Sequence, residues 1–228
     1  MRKYQFSYRP EIDGLRFIAV LLVILYHSKI NFFNGGFIGV DIFFVISGYL
    51  ITSIIIKQNI ENKFSYFNFI ERRARRILPA LFLIIFICLP FAYILLINED
   101  LNKFGLSVVA STTYWSNFLF FFENLNYFGA ASEYKPLLHT WSLSIEEQFY
   151  LIYPIIFLIF WKFNKKLIIL ILISVSIISF FLTQMGANLS MNYPFIESKM
   201  RFYIFNQPFW ASFYISLSRI WELGIGAI

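Results

Sequence analysis

Residues 77–97 have the sequence ILPALFLIIFICLPFAYILLI, which contains no charged side chain. A helix of about 20 apolar residues is long enough to cross the hydrocarbon core of a bilayer. Comparable apolar stretches recur along the chain, and they predict helices at 15–30, 37–56, 77–97, 104–122, 149–163, 167–185 and from about 209 onward. The chain is therefore predicted to be an all-α, polytopic membrane bundle with six to seven hydrophobic segments.

The composition excludes several classes of protein. Of the 228 residues, 59% are apolar and only 14% are charged, whereas soluble domains average about 45–50% and about 25%. A disordered chain, a nucleic-acid-binding arm and an ordinary soluble enzyme are thereby excluded. We expect one transmembrane domain over residues 1–228 and no soluble domain. Cys88 is the single cysteine, so there is no disulfide framework and no cysteine-based metal site.

Basic residues predict the orientation, because loops rich in lysine and arginine stay in the cytoplasm. They cluster at 57–76 and 162–166, which places the N-terminus and 57–76 inside, and 34–36 and 98–100 outside. Two alternatives remain for 104–122. A full crossing puts Lys162–Lys166 outside, whereas a re-entrant or flat segment keeps them inside, and the six Ser, Thr and Asn side chains in this stretch favour the second alternative.

The two ends of the chain give further expectations. Acidic residues interrupt the approach to the first apolar stretch and no small-x-small site closes it, so we expect a retained first helix rather than a cleaved signal peptide. The last residues, 218–228, stop within an apolar run. This predicts a chain that is incomplete at its C-terminal end.

Ionisable groups inside membrane helices are expensive and mark candidate functional sites. Arg16 and His27 are eleven residues apart, which puts them on one face of a helix with a rise of about 16 Å between them. His27 is therefore expected about halfway across the membrane. Asp41 in the second helix can pair with a basic group or hold an imidazole tautomer. Ser47 can bond to its own helix backbone.

Three local patterns predict structural details. Gly39 and Gly48 permit close contact between helices. Pro79 is expected in the first turn of the third helix, where its missing N–H costs little. In the stretch PLLHTWSLSIEEQFYL at 136–151, Ser144 and Glu147 fit a capping box that opens the next helix, while helical spacing puts Glu146 and Tyr150 on one face.

Together these blocks resemble the integral-membrane acyltransferase family 3, the OafA/OatA-like O-acyltransferases. The similarity runs from about residue 8 to the end of the chain. The matching blocks, in order, are EIDGLR at 11–16, the Arg-x10-His spacing of Arg16 and His27, GVDIFFVISGY at 39–49, RRARRILP at 72–79, HTWSLSIEEQFY at 139–150 and SRIWELG at 218–224.

The resemblance implies an inner-membrane enzyme of about ten helices. Such an enzyme moves an acyl group, commonly acetyl, from cytoplasmic acyl-CoA to a hydroxyl of a cell-envelope glycan or a lipid-linked sugar. Lipopolysaccharide O-antigen, peptidoglycan and exopolysaccharide are the acceptors to consider. No permanently bound cofactor, metal or nucleic acid is implied, and the partners are acyl-CoA, the glycan acceptor and the bilayer.

Acyl transfer to a hydroxyl requires a base, and His27 is the best candidate because a neutral imidazole persists near pH 7. Glu146 or Glu147 could orient His27 or bind the sugar. The CoA phosphates could be held by Arg16 together with Arg72, Arg73, Arg75 and Arg76. Tyr150 could carry the acyl group briefly, which we rank below direct transfer, and His139 is the rival base. The supporting residues expected from the motifs are Asp13, Asp41, Ser47, His139, Trp141, Tyr150, Arg219 and Glu222.

Two other hypotheses make different predictions. A transporter-like or non-catalytic helical bundle would depend on no acyl-CoA and would leave no ester on any glycan. An inactive acyltransferase fragment would fold poorly, because polar faces meant for missing helices would meet lipid.

Overall fold

The protein is described by a computed structural model, which covers residues 9–124, 135–188 and 212–228. Within these ranges the chain is helical and contains no strand, so the all-α prediction is confirmed. The described ranges contain eight α-helices, which are α1 (Pro10–His27), α2 (Ile38–Ile60), α3 (Tyr66–Leu95), α4 (Asn98–Thr112), α5 (Ser116–Asn124), α6 (Thr140–Phe163), α7 (Lys165–Asn188) and α8 (Ser216–Ala227).

Four of the described helices are long and apolar enough to cross a membrane. Their spans are Ile38–Ile60, Tyr66–Leu95, Thr140–Phe163 and Lys166–Gln184. Large apolar side chains of α3, such as Phe86 and Ile94, are 68% and 76% exposed, as expected for a surface that contacts lipid. These helices make the chain a multi-pass membrane protein.

Helix α3 begins earlier than its apolar run. Ser65 caps it by accepting a hydrogen bond from the backbone N–H of Asn68, and the helix then runs through the four arginines at 72–76. The prediction that Pro79 lies in the first turn was wrong, since it lies inside the helix. Hydropathy marks only the part of a helix that can enter lipid, whereas arginine is a good helix former and extends α3 beyond that part.

The polar stretch at 104–122 is not one helix. Helix α4 ends at Thr112, Tyr114 has a left-handed φ of 60°, and α5 starts at Ser116. Helices of 15 and 9 residues extend about 22 Å and about 14 Å, which is less than the hydrocarbon core of about 30 Å. The structure therefore favours the second topology, in which this segment does not cross the membrane as one span.

The described residues fall into two compact units, one formed by 9–64, 156–177 and 220–228 and the other by 65–124, 135–155, 178–188 and 212–219. In the first unit, α2 packs through glycine against α1 and α8. A Cβ added to Gly39 would lie 2.2 Å from the Ala19 carbonyl oxygen, and one added to Gly48 would lie 1.9 Å from that of Leu223. The prediction that these two glycines allow close helix contact is confirmed.

In the second unit, α3 and α6 run antiparallel. Near the start of α3, the hydroxyl of Tyr66 donates to the Leu151 carbonyl at 3.0 Å. Further along α3, Ile85 and Ala92 share an apolar cluster with Leu137, just before α6. The start of α3 and the end of α6 therefore point to the same side of the membrane, which again agrees with the second topology.

Candidate functional site

A buried carboxylate lies inside α6, one of the membrane-capable helices. Glu147 is 4% exposed, and its Oε1 has no hydrogen-bond partner within the described residues. Arg73 and Glu146 are close enough to act electrostatically on this carboxylate. An ionisable group in such a helix is a functional candidate by default, and the structure places the predicted pair, Glu146 and Glu147, in the same polar cluster.

The capping-box interpretation of Ser144 and Glu147 was wrong. Helix α6 already begins at Thr140, so both residues lie within it. The Ser144 hydroxyl lies 2.7 Å from that of Ser116 instead of binding its own helix terminus. Glu147 is thus left without a structural role at a helix end.

Arg73 is the arginine that enters this cluster. Its Cζ lies 4.0 Å from the centroid of the Tyr150 ring, which is 1% exposed, and this geometry is a close cation–π contact. The Nε of Arg73 has no hydrogen-bond partner within the described residues. The cluster therefore contains a half-buried guanidinium, a buried carboxyl group and a phenol ring.

The neighbouring basic side chains have a different environment. Arg72, Arg75 and Arg76 are exposed, and the Arg75 guanidinium lies 2.6 Å from the Glu71 carboxylate. The structure does not gather the four arginines into one anion site. Of the four, only Arg73 contacts Tyr150 and lies close to Glu147.

A network of hydroxyl groups beside Glu147 was missed from the sequence. Thr140 Oγ1 lies 2.8 Å from Ser111 Oγ and 3.0 Å from Ser116 Oγ, and the latter is also bonded to Ser144. These side chains join the α4–α5 region to the first turns of α6. The unusual number of Ser, Thr and Asn residues in 104–122 indicated that this stretch makes polar contacts. Their spacing in the sequence could not show that the partners lie on α6.

A network of side-chain amides also joins the α4–α5 region to α6. The Gln148 Nε2 donates to the Tyr114 carbonyl at 2.7 Å and to Asn117 Oδ1 at 2.9 Å, and Ser216 donates to Gln148 Oε1. Asn117 is fully buried and donates to the Tyr214 carbonyl at 3.0 Å. Satisfied buried networks of this kind fix a unique arrangement, and this one fixes the backbone turn at Tyr114 against α6.

The stretch 136–151 also contains Trp141 and His139. Trp141 is buried, and the Arg219 guanidinium carbon lies 5.9 Å from its ring centroid. Arg219 also lies 5.8 Å from the Phe213 ring. His139 is exposed just before α6. The structure thus brings Trp141 and Arg219 together.

In the first unit, His27 is the last residue of α1. Its expected depth, about halfway across the membrane, stays a prediction, whereas its place at the end of a helix was not foreseen from the sequence. The helix stops there because Lys29 adopts a left-handed φ of 56° and the Ser28 N–H closes the last turn on the Ile24 carbonyl. The imidazole is exposed, and its Nδ1 lies 2.9 Å from the Val23 carbonyl oxygen.

That hydrogen bond determines the tautomer of His27. A carbonyl oxygen only accepts, so Nδ1 carries the proton and, in the neutral ring, Nε2 carries the lone pair. Arg16 lies in the same helix with its side chain 25% exposed, and its Nη1 is 4.0 Å from the Asp13 carboxylate. Because one continuous helix contains both residues, the predicted shared face of Arg16 and His27 is confirmed.

The other predicted residues of this unit are also placed. Asp41 lies half-buried in the first turn of α2, while Ser47 is buried in its middle. Glu222 on α8 is fully buried. No group of three His, Cys, Asp or Glu residues within the described ranges is arranged to hold a metal ion.

The fold and these side chains define a class, an all-helical membrane protein with ionisable groups buried in its helices. A family profile described as an acyltransferase domain matches residues 9–222. The chain therefore belongs to the integral-membrane acyltransferase family 3.

Two relatives are similar over most of this chain. The peptidoglycan O-acetyltransferase OatA of Listeria monocytogenes is 43% identical over 180 residues, covering 78% of this chain and 29% of that protein. The O-acetyltransferase OatA of Staphylococcus aureus is 39% identical over 180 residues, covering 78% and 30%. The chain thus spans less than a third of the length of these relatives. No solved structure matches it.

Proposed function

We propose that this protein transfers an acetyl group from acyl-CoA to a hydroxyl of a cell-envelope glycan, with peptidoglycan as the acceptor to test first. The observation that carries the proposal is the tautomer of His27, whose Nδ1–H is held by the Val23 carbonyl, so that in the neutral ring Nε2 carries the lone pair that a general base requires. The names of the relatives supply the acceptor class.

The reaction requires one proton to move. Nε2 of His27 takes the proton of the acceptor hydroxyl as its oxygen attacks the thioester carbonyl carbon. The carbon–sulfur bond then breaks, and the departing CoA thiolate recovers the proton from the imidazolium. The products are an O-acetyl ester and free CoA, and general-base catalysis of this kind contributes roughly 10²–10⁴-fold to the rate.

The polar cluster of the second unit has two roles in this proposal. The Glu147 Oε1, which has no hydrogen-bond partner within the described residues, can accept a hydrogen bond from a sugar hydroxyl. Arg16 in the first unit and Arg73 in the second are each partly buried and have an Nε without a hydrogen-bond partner within the described residues, so each is a candidate to hold a donor phosphate. The exposed arginines of α3 would meet the donor earlier, at the membrane surface.

The proposal includes an orientation in the plasma membrane. The N-terminus and the start of α3 face the cytoplasm and the donor, while residues 34–36 and 98–100 face the envelope and the acceptor. This assignment rests on the basic residues and on the antiparallel run of α3 and α6.

The test is a His27→Ala substitution at the chromosomal gene, with His139→Ala as the comparison. We expect His27→Ala to lower glycan O-acetylation by roughly 10²-fold or more, because the group that takes the hydroxyl proton is lost, and to leave the amount of protein in the membrane unchanged. Mass spectrometry of released glycan fragments measures the ester. Full acetylation in His27→Ala, with loss only in His139→Ala, would move the base to the segment before α6.

A further inference from the structure

Tyr114 occupies a backbone position that a tyrosine rarely takes. It follows the C-cap of α4 with a left-handed φ of 60°, a conformation that is sterically costly for a bulky side chain. The Tyr114 N–H donates to the Ser111 carbonyl at 3.3 Å. The next N–H, that of Trp115, donates to the Ala110 carbonyl at 2.7 Å. These two bonds define a Schellman motif, in which the left-handed residue is usually glycine or asparagine.

The end of α2 shows the usual form of the same turn. Asn62 has a φ of 54°, and its N–H donates to the Asn59 carbonyl at 3.1 Å. The Lys63 N–H then donates to the Gln58 carbonyl at 2.8 Å. Asparagine tolerates this conformation because its short polar side chain can hydrogen-bond locally. The backbone at the end of α4 therefore does not require a tyrosine, and the reason for this side chain lies in what its phenol meets.

Side chains of α6 hold the strained turn in place. The Gln148 Nε2 donates to the Tyr114 carbonyl at 2.7 Å, and the Ser144 hydroxyl accepts from the Ser116 backbone N–H at 3.3 Å. Both α6 residues lie within one helical turn of Glu147. Strained backbone persists only where its surroundings over-determine it, and it is concentrated at functional sites. The turn is thus fixed against the part of α6 that contains Glu147.

The half-buried phenol of Tyr114 and the carboxyl group of Glu147 form a complementary donor and acceptor. Burial, and in second place the Glu147 carboxylate, raise the pKa of the Tyr114 phenol above its ordinary value. The phenol therefore keeps its proton at neutral pH and can donate a hydrogen bond. The Glu147 Oε1 can accept one, since it has no hydrogen-bond partner within the described residues.

From this geometry we infer that Tyr114 is a positioning residue for acetyl transfer, whose phenol O–H orients the Glu147 carboxyl group when the acceptor binds; the inference rests on the proposed function. Hydrogen bonds of this kind often tighten only once substrate is bound. A donor whose backbone is already fixed loses little conformational freedom when it forms such a bond. The strain at Tyr114 is then the cost of keeping a donor beside Glu147.

The experiment uses the native protein in detergent or nanodiscs, with acetyl-CoA as the donor and a peptidoglycan tetrasaccharide as the acceptor. We expect Tyr114→Phe to lower kcat about tenfold, as the loss of one hydrogen bond to a carboxylate would. Both KM values and the unfolding temperature should stay near those of the native protein, because the ring and the backbone are unchanged. A ring that only filled space would leave Tyr114→Phe fully active.

Tyr66→Phe is the matched control. The Tyr66 hydroxyl donates to the Leu151 carbonyl at 3.0 Å in the same unit, so this variant loses the same chemical group from a contact that joins α3 to α6. We expect a lower unfolding temperature and an unchanged kcat. Equal losses of kcat in Tyr66→Phe and Tyr114→Phe would show a general effect of removing a phenol from this unit, and would overturn the inference.

A double-mutant cycle with Glu147→Gln tests whether Tyr114 acts through Glu147. Glu147→Gln alone should lower kcat, and adding Tyr114→Phe should lower it no further, because the effects of residues that act as a unit do not add. Native kcat in either single variant, or additive losses in the double variant, would overturn the inference, while inactivity of His27→Ala would still support the proposed function. A native protein that transfers no acetyl group to the tetrasaccharide would overturn both.

Discussion

The arginines of α3 have different environments because a helix turns by about 100° per residue. Arg73 is directed at Tyr150 and Glu147, while Arg72 and Arg76, four residues apart, lie on an exposed face. The sequence RRARR shows that cations are present but not which of them meets an anion. The residues that Arg73 meets lie on α6, which is distant from α3 in sequence and runs antiparallel to it.

Arg73→Gln should therefore cost more than Arg75→Gln. Removing the Arg73 guanidinium removes its contact with the buried Tyr150 ring, whose centroid lies 4.0 Å from Cζ, and a partly desolvated cation–π contact contributes about 1–2 kcal/mol. Arg75 forms an exposed pair with Glu71, and such pairs contribute about 0–1 kcal/mol. Thermal unfolding in detergent measures the stability, and the KM for acetyl-CoA measures donor binding.

Arg73→Lys separates charge from shape in the same assay. It keeps the cation near Glu147 but loses the planar group that stacks on Tyr150, so we expect an intermediate stability. Equal stability of Arg73→Gln and Arg75→Gln would mean that the contact with Tyr150 and Glu147 contributes nothing to the fold.

At the scale of helices, periodicity and apolar length predicted where most helices lie but not where they begin. The regions of α1, α2, α3, α6 and α7 follow from their apolar runs, whereas the starts of α3 and α6 lie in polar sequence that no hydropathy count detects. The break at Tyr114 was also beyond the sequence, because it is fixed by the Gln148 amide bonding to the Tyr114 carbonyl. Contacts made by a distant helix decide such details.

The glycine contacts of α2 give a prediction at this scale. Gly48→Ala would place a Cβ 1.9 Å from the Leu223 carbonyl oxygen, and backbone cannot move aside as a flexible side chain would. We expect a loss of about 1–3 kcal/mol in the free energy of unfolding.

Gly105→Ala is the matched control, since a Cβ there meets no atom within 4 Å. It lies inside α4, where alanine is favoured over glycine by about 0.5–1 kcal/mol, so the unfolding temperature should stay level or rise. A Gly48→Ala protein as stable as the Gly105→Ala protein would show that α2 and α8 do not touch at this position.

At the scale of the whole molecule, the order of contacts along α3 and α6 predicts the topology. On a Cys88→Ser background, cysteines placed at Lys63 and Lys166 should be labelled from the same side of the membrane, the cytoplasmic one. A cysteine at Asn34 should be labelled from the outside by a reagent that cannot cross the bilayer. Labelling of Lys63→Cys from outside would reverse the orientation, and labelling of Lys63→Cys and Lys166→Cys from opposite sides would contradict the antiparallel arrangement.

The glycine contacts between α2 and α8 also constrain how the chain is made. Leu223 is synthesised roughly 175 residues after Gly48, which at about 5–20 residues per second takes roughly 10–35 s. During that time α2 can pair with α1, because the Gly39–Ala19 contact joins neighbours in the sequence. The other glycine-lined face of α2 must stay uncovered in the bilayer until α8 leaves the ribosome. The α1–α2 hairpin therefore assembles before α8 can pack against it.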